Sequence, residues 1–202
     1  MQVILIRHGM TQGNREKRYI GVTDEPLCSE GVRQLMQWKQ AGRYPVCDRV
    51  IVSPMARCVQ TAQIIYPEIE KQSELLLKEC DFGKFEGKNY EELKEDKTYI
   101  HWLSSNGQAP FPEGESVTGF KKRCVEAFNA ILCQNLMVCA GRTADSHQSP
   151  ETVAMIVHGG TIMSIMERYE LSQKAYYDYM VDNGGGYVVD FDGSMIRIVH
   201  RL

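Results

Sequence analysis

The chain has no marked excess of either charge. Its 23 lysines and arginines against 26 acidic residues leave a net charge of -3, with an isoelectric point near 6.0. A general attraction to nucleic acid or to an anionic membrane is therefore not expected, and any affinity for an anion has to be built locally. Long apolar runs are also missing, since no stretch approaches the roughly 20 residues that a membrane helix needs. The opening MQVILIRHG lacks the charged leading region of a secretory signal. Among the seven cysteines (Cys28, Cys47, Cys58, Cys80, Cys124, Cys133 and Cys139) there is no CxxC pair. An odd number without such spacing argues against a disulfide framework and a zinc site, and for buried thiols in the cytoplasm. Internal repeats and low-complexity linkers are absent too, so residues 1–202 read as one domain.

What is present is an alternation of strands and helices. Val3–Ile6 is a compact apolar run suited to a strand buried on both faces. A helix is expected over 30–41 with Ser29 as its cap, followed by a strand at Val50–Val52 and a helix from Met55 to Tyr66. A third strand is expected at Leu75–Leu77. The polar middle section carries short helices near 90–94 and 97–103. From Val117, apolar residues recur at helical spacing through Leu132. After a turn-rich loop at 141–150 come a strong strand, Val153–Val157, and a helix over 161–170. Tyr187–Phe191 and Met195–Val199 form a hairpin around Asp192–Ser194. This order implies an α/β fold with a mostly parallel sheet and helices on both faces.

In such sheets ligands bind beyond the carboxyl ends of the strands. Four expected strand ends carry polar residues: Arg7–His8, Ser53–Arg57, Glu79 and His158. Two arginines match the oxygens of a phosphoryl group. A neutral imidazole can attack phosphorus, and a carboxyl crowded by phosphate can keep its proton for a leaving alkoxide. A small phosphomonoester is the partner this set suits, with neither nucleic acid nor membrane required.

These residues sit in motifs. Leu5–Asn14 (LIRHGMTQGN) resembles the RHGxTxxN signature of the histidine phosphatase superfamily, the phosphoglycerate mutase-like proteins. Gly21–Gly31, Ser53–Ala62 (SPMARCVQTA), Leu77–Gly87 (LKECDFGKFEG) and Val157–Gly160 (VHGG) resemble the family's other motifs in order and spacing. The resemblance implies a three-layer α/β/α sandwich that needs no metal or organic cofactor. It makes His8 the nucleophile and Glu79 the proton donor. Arg7, Arg57 and His158 would hold phosphate, with Asn14, Gly21 and the Gly159 N–H on the binding side. Three departures, Cys28, Cys58 and Phe85, are expected to touch only packing and the pocket rim.

Each residue alone also has an ordinary reading: a hydrogen-bonded His8, a turn at His158, a solvated Arg57. His101, His147 and His200 are read as structural, with His101 a secondary candidate for a pocket wall. Met163, Met166 and Tyr169 are read as helix packing, and Ser116 as a helix cap near Glu115. For the whole chain a phosphatase, a phosphoglycerate mutase and a non-catalytic phospho-ligand module all remain open. The short segment between Glu79 and Glu115 favours the phosphatase, and both His8 and Glu79 are present, which disfavours the module. Trp102, the Pro112–Ser116 turn and Tyr176–Asn183 resemble the α-ribazole phosphatase subgroup, making α-ribazole 5′-phosphate a candidate substrate. A monomer or homodimer is expected.

Overall fold

The structure, a computed structural model, describes the backbone of residues 1–140 and 151–202 and the side chains of 1–132 and 151–202. The expected loop at 141–150, with His147, and the side chains of Cys133 and Cys139 lie outside the described residues. Six strands form one sheet: β1 (Gln2–Arg7), β2 (Arg49–Val52), β3 (Lys71–Ser73), β4 (Thr152–Val157), β5 (Gly186–Phe191) and β6 (Ile196–Arg201). Their order is β3-β2-β4-β1-β5-β6. Pairings β1–β4, β2–β4 and β2–β3 are parallel, whereas β5 runs against both β1 and β6. Only β5 is reversed, so the sheet is mostly parallel, as the strand–helix alternation implied. Helices α1 (Gln12–Arg15), α2 (Ser29–Gln40), α3 (Ala56–Ile65), α4 (Tyr90–Leu93), α5 (Lys97–Ser104), α6 (Val117–Ala140) and α7 (Gly159–Tyr169) complete the fold. Among the described residues no helix is long and apolar enough to cross a membrane.

Period-two alternation explains the layers. Val3 and Leu5 of β1 pack with Phe128, Ile131, Ile162 and Met166 of α6 and α7 on one face. Ile4 and Ile6 pack with Leu35, Cys58, Ala62 and Ile65 of α2 and α3 on the other. Both faces being covered is why β1 and β4 read as unbroken apolar runs. Each fully buried aliphatic side chain contributes roughly 1.5–3 kcal/mol. A third cluster, including Phe85, Tyr99, Trp102, Phe111 and Phe120, stands over one end of the sheet.

The third strand lies elsewhere than expected. Leu75–Leu77 forms a 3₁₀ turn, and the strand is the polar Lys71–Ser73 just before it. Leu75 and Leu76 are exposed while Leu77 is buried, so the run has no strand-like burial. The cap of α2 is Cys28 rather than Ser29, its sulfur accepting from the Gly31 N–H at 3.4 Å. Helix α7 starts at Gly159, two residues before the expected start, because the glycine pair is helical rather than a turn.

Candidate active site

Pairing of β1 with β4 brings the two histidines together. Arg7 is in register with Val157, and the His8 N–H donates to the Val157 carbonyl at 2.9 Å. One residue beyond each strand end, the His8 and His158 rings stand 5.2 Å apart, edge to face. From β2, the Ser53 N–H bonds the Ile156 carbonyl, setting its hydroxyl 2.8 Å from Nε2 of His158.

His8 Nδ1 lies 2.7 Å from the Gly9 carbonyl, an acceptor only, so Nδ1 carries the proton and Nε2 keeps its lone pair. Burial, reinforced by the charges of Arg57 and Arg7, holds the His8 pKa well below the ordinary imidazole value. The ring is therefore neutral and nucleophilic near neutral pH. His158 is held low by burial first, then by His8 and the arginines.

Arg57 is fully buried, with Nη1 donating to the Thr23 carbonyl and Nη2 to the Gly21 carbonyl, each at 2.8 Å. Arg7 donates from Nη1 to the Val181 carbonyl at 2.8 Å. The Nε of each arginine is buried and without a hydrogen-bond partner. Among the described residues, no carboxylate stands within 4.0 Å of either guanidinium. Two cations so withdrawn from water, Arg57 wholly and Arg7 in part, are costly unless an anion joins them.

Glu79 follows the 3₁₀ turn and is buried; its carboxyl oxygen accepts from the Cys80 N–H at 3.0 Å. Burial raises its pKa, opposed by that N–H, by Arg57 and Arg7, and by the Gly160 N–H. Its acid form thus persists above the ordinary carboxyl range. The neighbouring Cys80 thiol is pushed up by burial and by Glu79, which disfavours its reactive thiolate.

A cavity of about 340 Å³ opens beside these groups. Arg7, His8, Asn14, Glu79 and Gly159 form part of its wall, while Arg57, His158 and Gly21 are not among the residues that line it. Oδ1 of Asn14 accepts from the Thr11 N–H and from Nδ2 of Asn183, so only its amide hydrogens are left to donate. Gly159 opens α7 close to Nε of Arg7, so a helix N-terminus, the kind of place that attracts an anion, stands beside that guanidinium. Away from this polar end the wall is aromatic, with Tyr19, Phe82, Trp102, Phe111, Phe120 and Tyr176. Met163 also lines it, whereas His101 is exposed and outside it. Ser116 caps α6 through the Gly119 N–H at 3.0 Å.

Cys58 departs from its expected neutrality: its sulfur lies 3.6 Å from Nε2 of His158, against the candidate catalytic set. Thr61, whose hydroxyl accepts the Gly9 N–H at 2.9 Å, was not singled out from the sequence, and Ser53 and Asn183 were noted there only as members of their motifs, without these contacts. Thr61 lies one helical turn after Arg57 and bonds its carbonyl, a spacing that the motif already displays. No group of three or more His, Cys, Asp or Glu side chains among the described residues is placed to hold a metal ion.

Gly21 admits no side chain, because a Cβ there would lie 1.9 Å from the Cys80 carbonyl. Gly21→Ala must shift backbone against backbone, so a loss of roughly 1–3 kcal/mol is expected. At roughly 2–4 °C per kcal/mol for a chain of this size, the melting temperature should fall by several degrees. Because the Gly21 carbonyl holds Arg57, turnover should fall with it. A thermal melt and activity both matching the wild type would show that the contact relaxes freely.

Residues 3–201 match the family model of the histidine phosphatase superfamily (branch 1). A Cronobacter sakazakii protein named "Probable phosphoglycerate mutase GpmB" is 35% identical over 136 residues, which cover 65% of this chain. The match spans 63% of that relative's length. Among solved structures, the phosphoglycerate mutase from Thermus thermophilus superposes with a TM-score of 0.70 at 27% identity, covering 100% of this chain and 98% of that one. The α-ribazole phosphatase from Shigella flexneri gives 0.80 at 24% identity, covering 98% and 94%, a likeness of fold.

Proposed function

The chain belongs to the histidine phosphatase superfamily, and we propose that it hydrolyses a small phosphomonoester through a phosphohistidine on His8. The observation that carries this reading is the pair of guanidinium groups, Arg57 fully and Arg7 partly buried, each with an unpartnered buried Nε and neither within 4.0 Å of a carboxylate among the described residues, beside a neutral His8. They neutralise the phosphate dianion and the charge on its equatorial oxygens. Asn14 and the N–H groups at the start of α7 add donors.

Nε2 of His8 attacks phosphorus in line. The N–P bond forms as the ester P–O bond breaks, and the protonated Glu79 carboxyl transfers its proton to the departing alkoxide. Water then attacks the phosphohistidine, and the Glu79 carboxylate takes the water proton while His8 leaves. Inorganic phosphate and the alcohol are released, and Glu79 is again an acid.

The aromatic wall supports a leaving group with a flat apolar portion, since offset or edge contacts with such rings favour it beyond area alone. α-Ribazole 5′-phosphate meets that description and is our candidate substrate. A mutase is the second reading, favoured by the names of the Cronobacter and Thermus proteins. In our reading the protein is cytoplasmic, consistent with free thiols at all five described cysteines. Phosphate release from α-ribazole 5′-phosphate, 3-phosphoglycerate, sugar phosphates and nitrophenyl phosphate tests the proposal directly. Release with the highest kcat/KM on the aromatic nucleoside ester is expected. Interconversion of phosphoglycerates without net phosphate release would move the assignment to the mutase.

A further inference from the structure

Among the described residues, Glu79 is met at its carboxyl by backbone hydrogen bonds alone, from the N–H groups of Cys80 and Gly160. No strand holds it either, because it follows a single 3₁₀ turn. Its position must therefore come from how its own backbone is tied. Arg123 on α6 supplies that tie. Nη2 donates to the Glu79 carbonyl at 3.0 Å, and Nη1 donates to the Lys78 carbonyl at 2.6 Å and the Leu76 carbonyl at 2.7 Å. Nε and Nη2 reach the two carboxylate oxygens of Glu115 at 2.7 and 2.8 Å. All five guanidinium N–H groups are then in use. Glu115 is itself anchored to the same loop, its N–H donating to the Asp81 carbonyl at 2.9 Å.

A common surface ion pair makes one contact, in water, and contributes little. This pair is a planar fork that gathers three carbonyls of one loop and one carboxylate, with side chains only 20% and 23% exposed. Neither residue lines the cavity, so neither touches substrate. Resting on the reading of Glu79 as proton donor, we propose that Arg123, oriented by Glu115, is a positioning residue that sets the reach of the Glu79 carboxyl to the leaving oxygen. Lysine cannot replace it, since an ammonium offers three donors without the flat fork that spans three carbonyls and a carboxylate.

The test uses the full chain with Arg123→Gln, Arg123→Lys, Glu79→Gln and the double variant Glu79→Gln/Arg123→Gln. Turnover is measured on an alkyl phosphate, whose leaving group needs a proton, and on nitrophenyl phosphate, whose leaving group needs little. Misplacing a catalytic group by about 1 Å costs on the order of 10²-fold. Arg123→Gln should therefore slow the alkyl ester by roughly 10- to 100-fold in kcat/KM, which reports the phosphorylation step before water attacks, and the nitrophenyl ester by no more than about threefold in the same parameter. Arg123→Lys should fall between. In the Glu79→Gln background, adding Arg123→Gln should cost no more than about threefold, because the group being positioned is already gone. Equal losses on both esters, or an undiminished loss in that background, would overturn the positioning role and leave a general loop staple. Glu79→Gln showing no preference between esters would instead overturn the acid role of Glu79 itself. Should Arg123→Gln fail to fold, Glu115→Gln serves in its place. It keeps the shape and weakens the fork, with the same split between esters expected.

Discussion

Replacing His8 with alanine is expected to lower turnover by roughly 10⁴-fold or more, on alkyl and aryl phosphates alike. The loss is insensitive to the leaving group because the nucleophile serves both. His8→Ala should nonetheless fold. The ring makes one hydrogen bond, to the carbonyl of its own neighbour, while the backbone at this position is held by Val157 and Asn183. The second readout is covalent. Wild-type protein quenched during turnover of a labelled ester should carry an acid-labile, base-stable phosphoryl group, and His8→Ala should carry none. Retention of activity within about tenfold of wild type would remove His8 from the nucleophilic role, since no positioning effect of a true nucleophile is that small. His158 makes a useful contrast. It is fully buried and outside the cavity lining, with Nε2 meeting the Ser53 hydroxyl, so in our reading it supports phosphate rather than attacking it.

Most of the candidate site was legible because Arg7, His8, Arg57 and His158 sit at the end of a buried strand or a few residues beyond one, and such strands announce themselves as apolar runs; Glu79, which follows a 3₁₀ turn, was legible only from its motif. β1 and β4 are covered on both faces, so Val3–Ile6 and Val153–Val157 needed no periodicity to be seen. β3 fails the same test for a physical reason. It is a three-residue edge strand, pairs only with β2, and has no apolar face, whereas the neighbouring leucines do. Cys28 does not read as a cap because a thiol is a weak acceptor beside the serine that follows it.

What stayed hidden was long-range. Cys58 meets His158 across 100 residues, Asn183 meets Asn14 across 169, and Arg123 meets the Glu79 carbonyl across 44. A residue chosen to brace another residue's backbone or amide carries no local pattern, only a polar side chain on an otherwise ordinary helix or loop. Arg57 shows the converse. On a helix it resembles a surface charge; its motif neighbours implied a phosphate-holding role, and the fold buries it completely.

Glu79→Gln is expected to slow hydrolysis of alkyl phosphates by roughly 10²- to 10⁴-fold, the usual worth of general acid–base assistance. Nitrophenyl phosphate should suffer less in the first step, because its phenolate leaves without a proton. Dependence on pH gives the sharper signature. Burial raises the Glu79 pKa, so its acid form persists above the ordinary carboxyl value and is lost as pH rises through the raised one. A bound phosphate dianion, being a like charge, shifts it further in the same direction. Burial and the two arginines lower the His8 pKa, so its free lone pair survives below the ordinary imidazole value and is lost only as pH falls through the lowered one. Wild-type kcat on an alkyl ester should thus fall on the acid side as His8 protonates and on the alkaline side as Glu79 ionises. Glu79→Gln should keep the acid limb and lose the alkaline one. Stability should move the opposite way from activity. A carboxyl whose folded pKa is raised contributes stability that is lost as pH rises, so the neutral amide should hold its melting temperature better than wild type in alkaline buffer. An alkaline limb that persists unchanged in Glu79→Gln would assign that limb, and with it the proton given to the leaving group, to another residue.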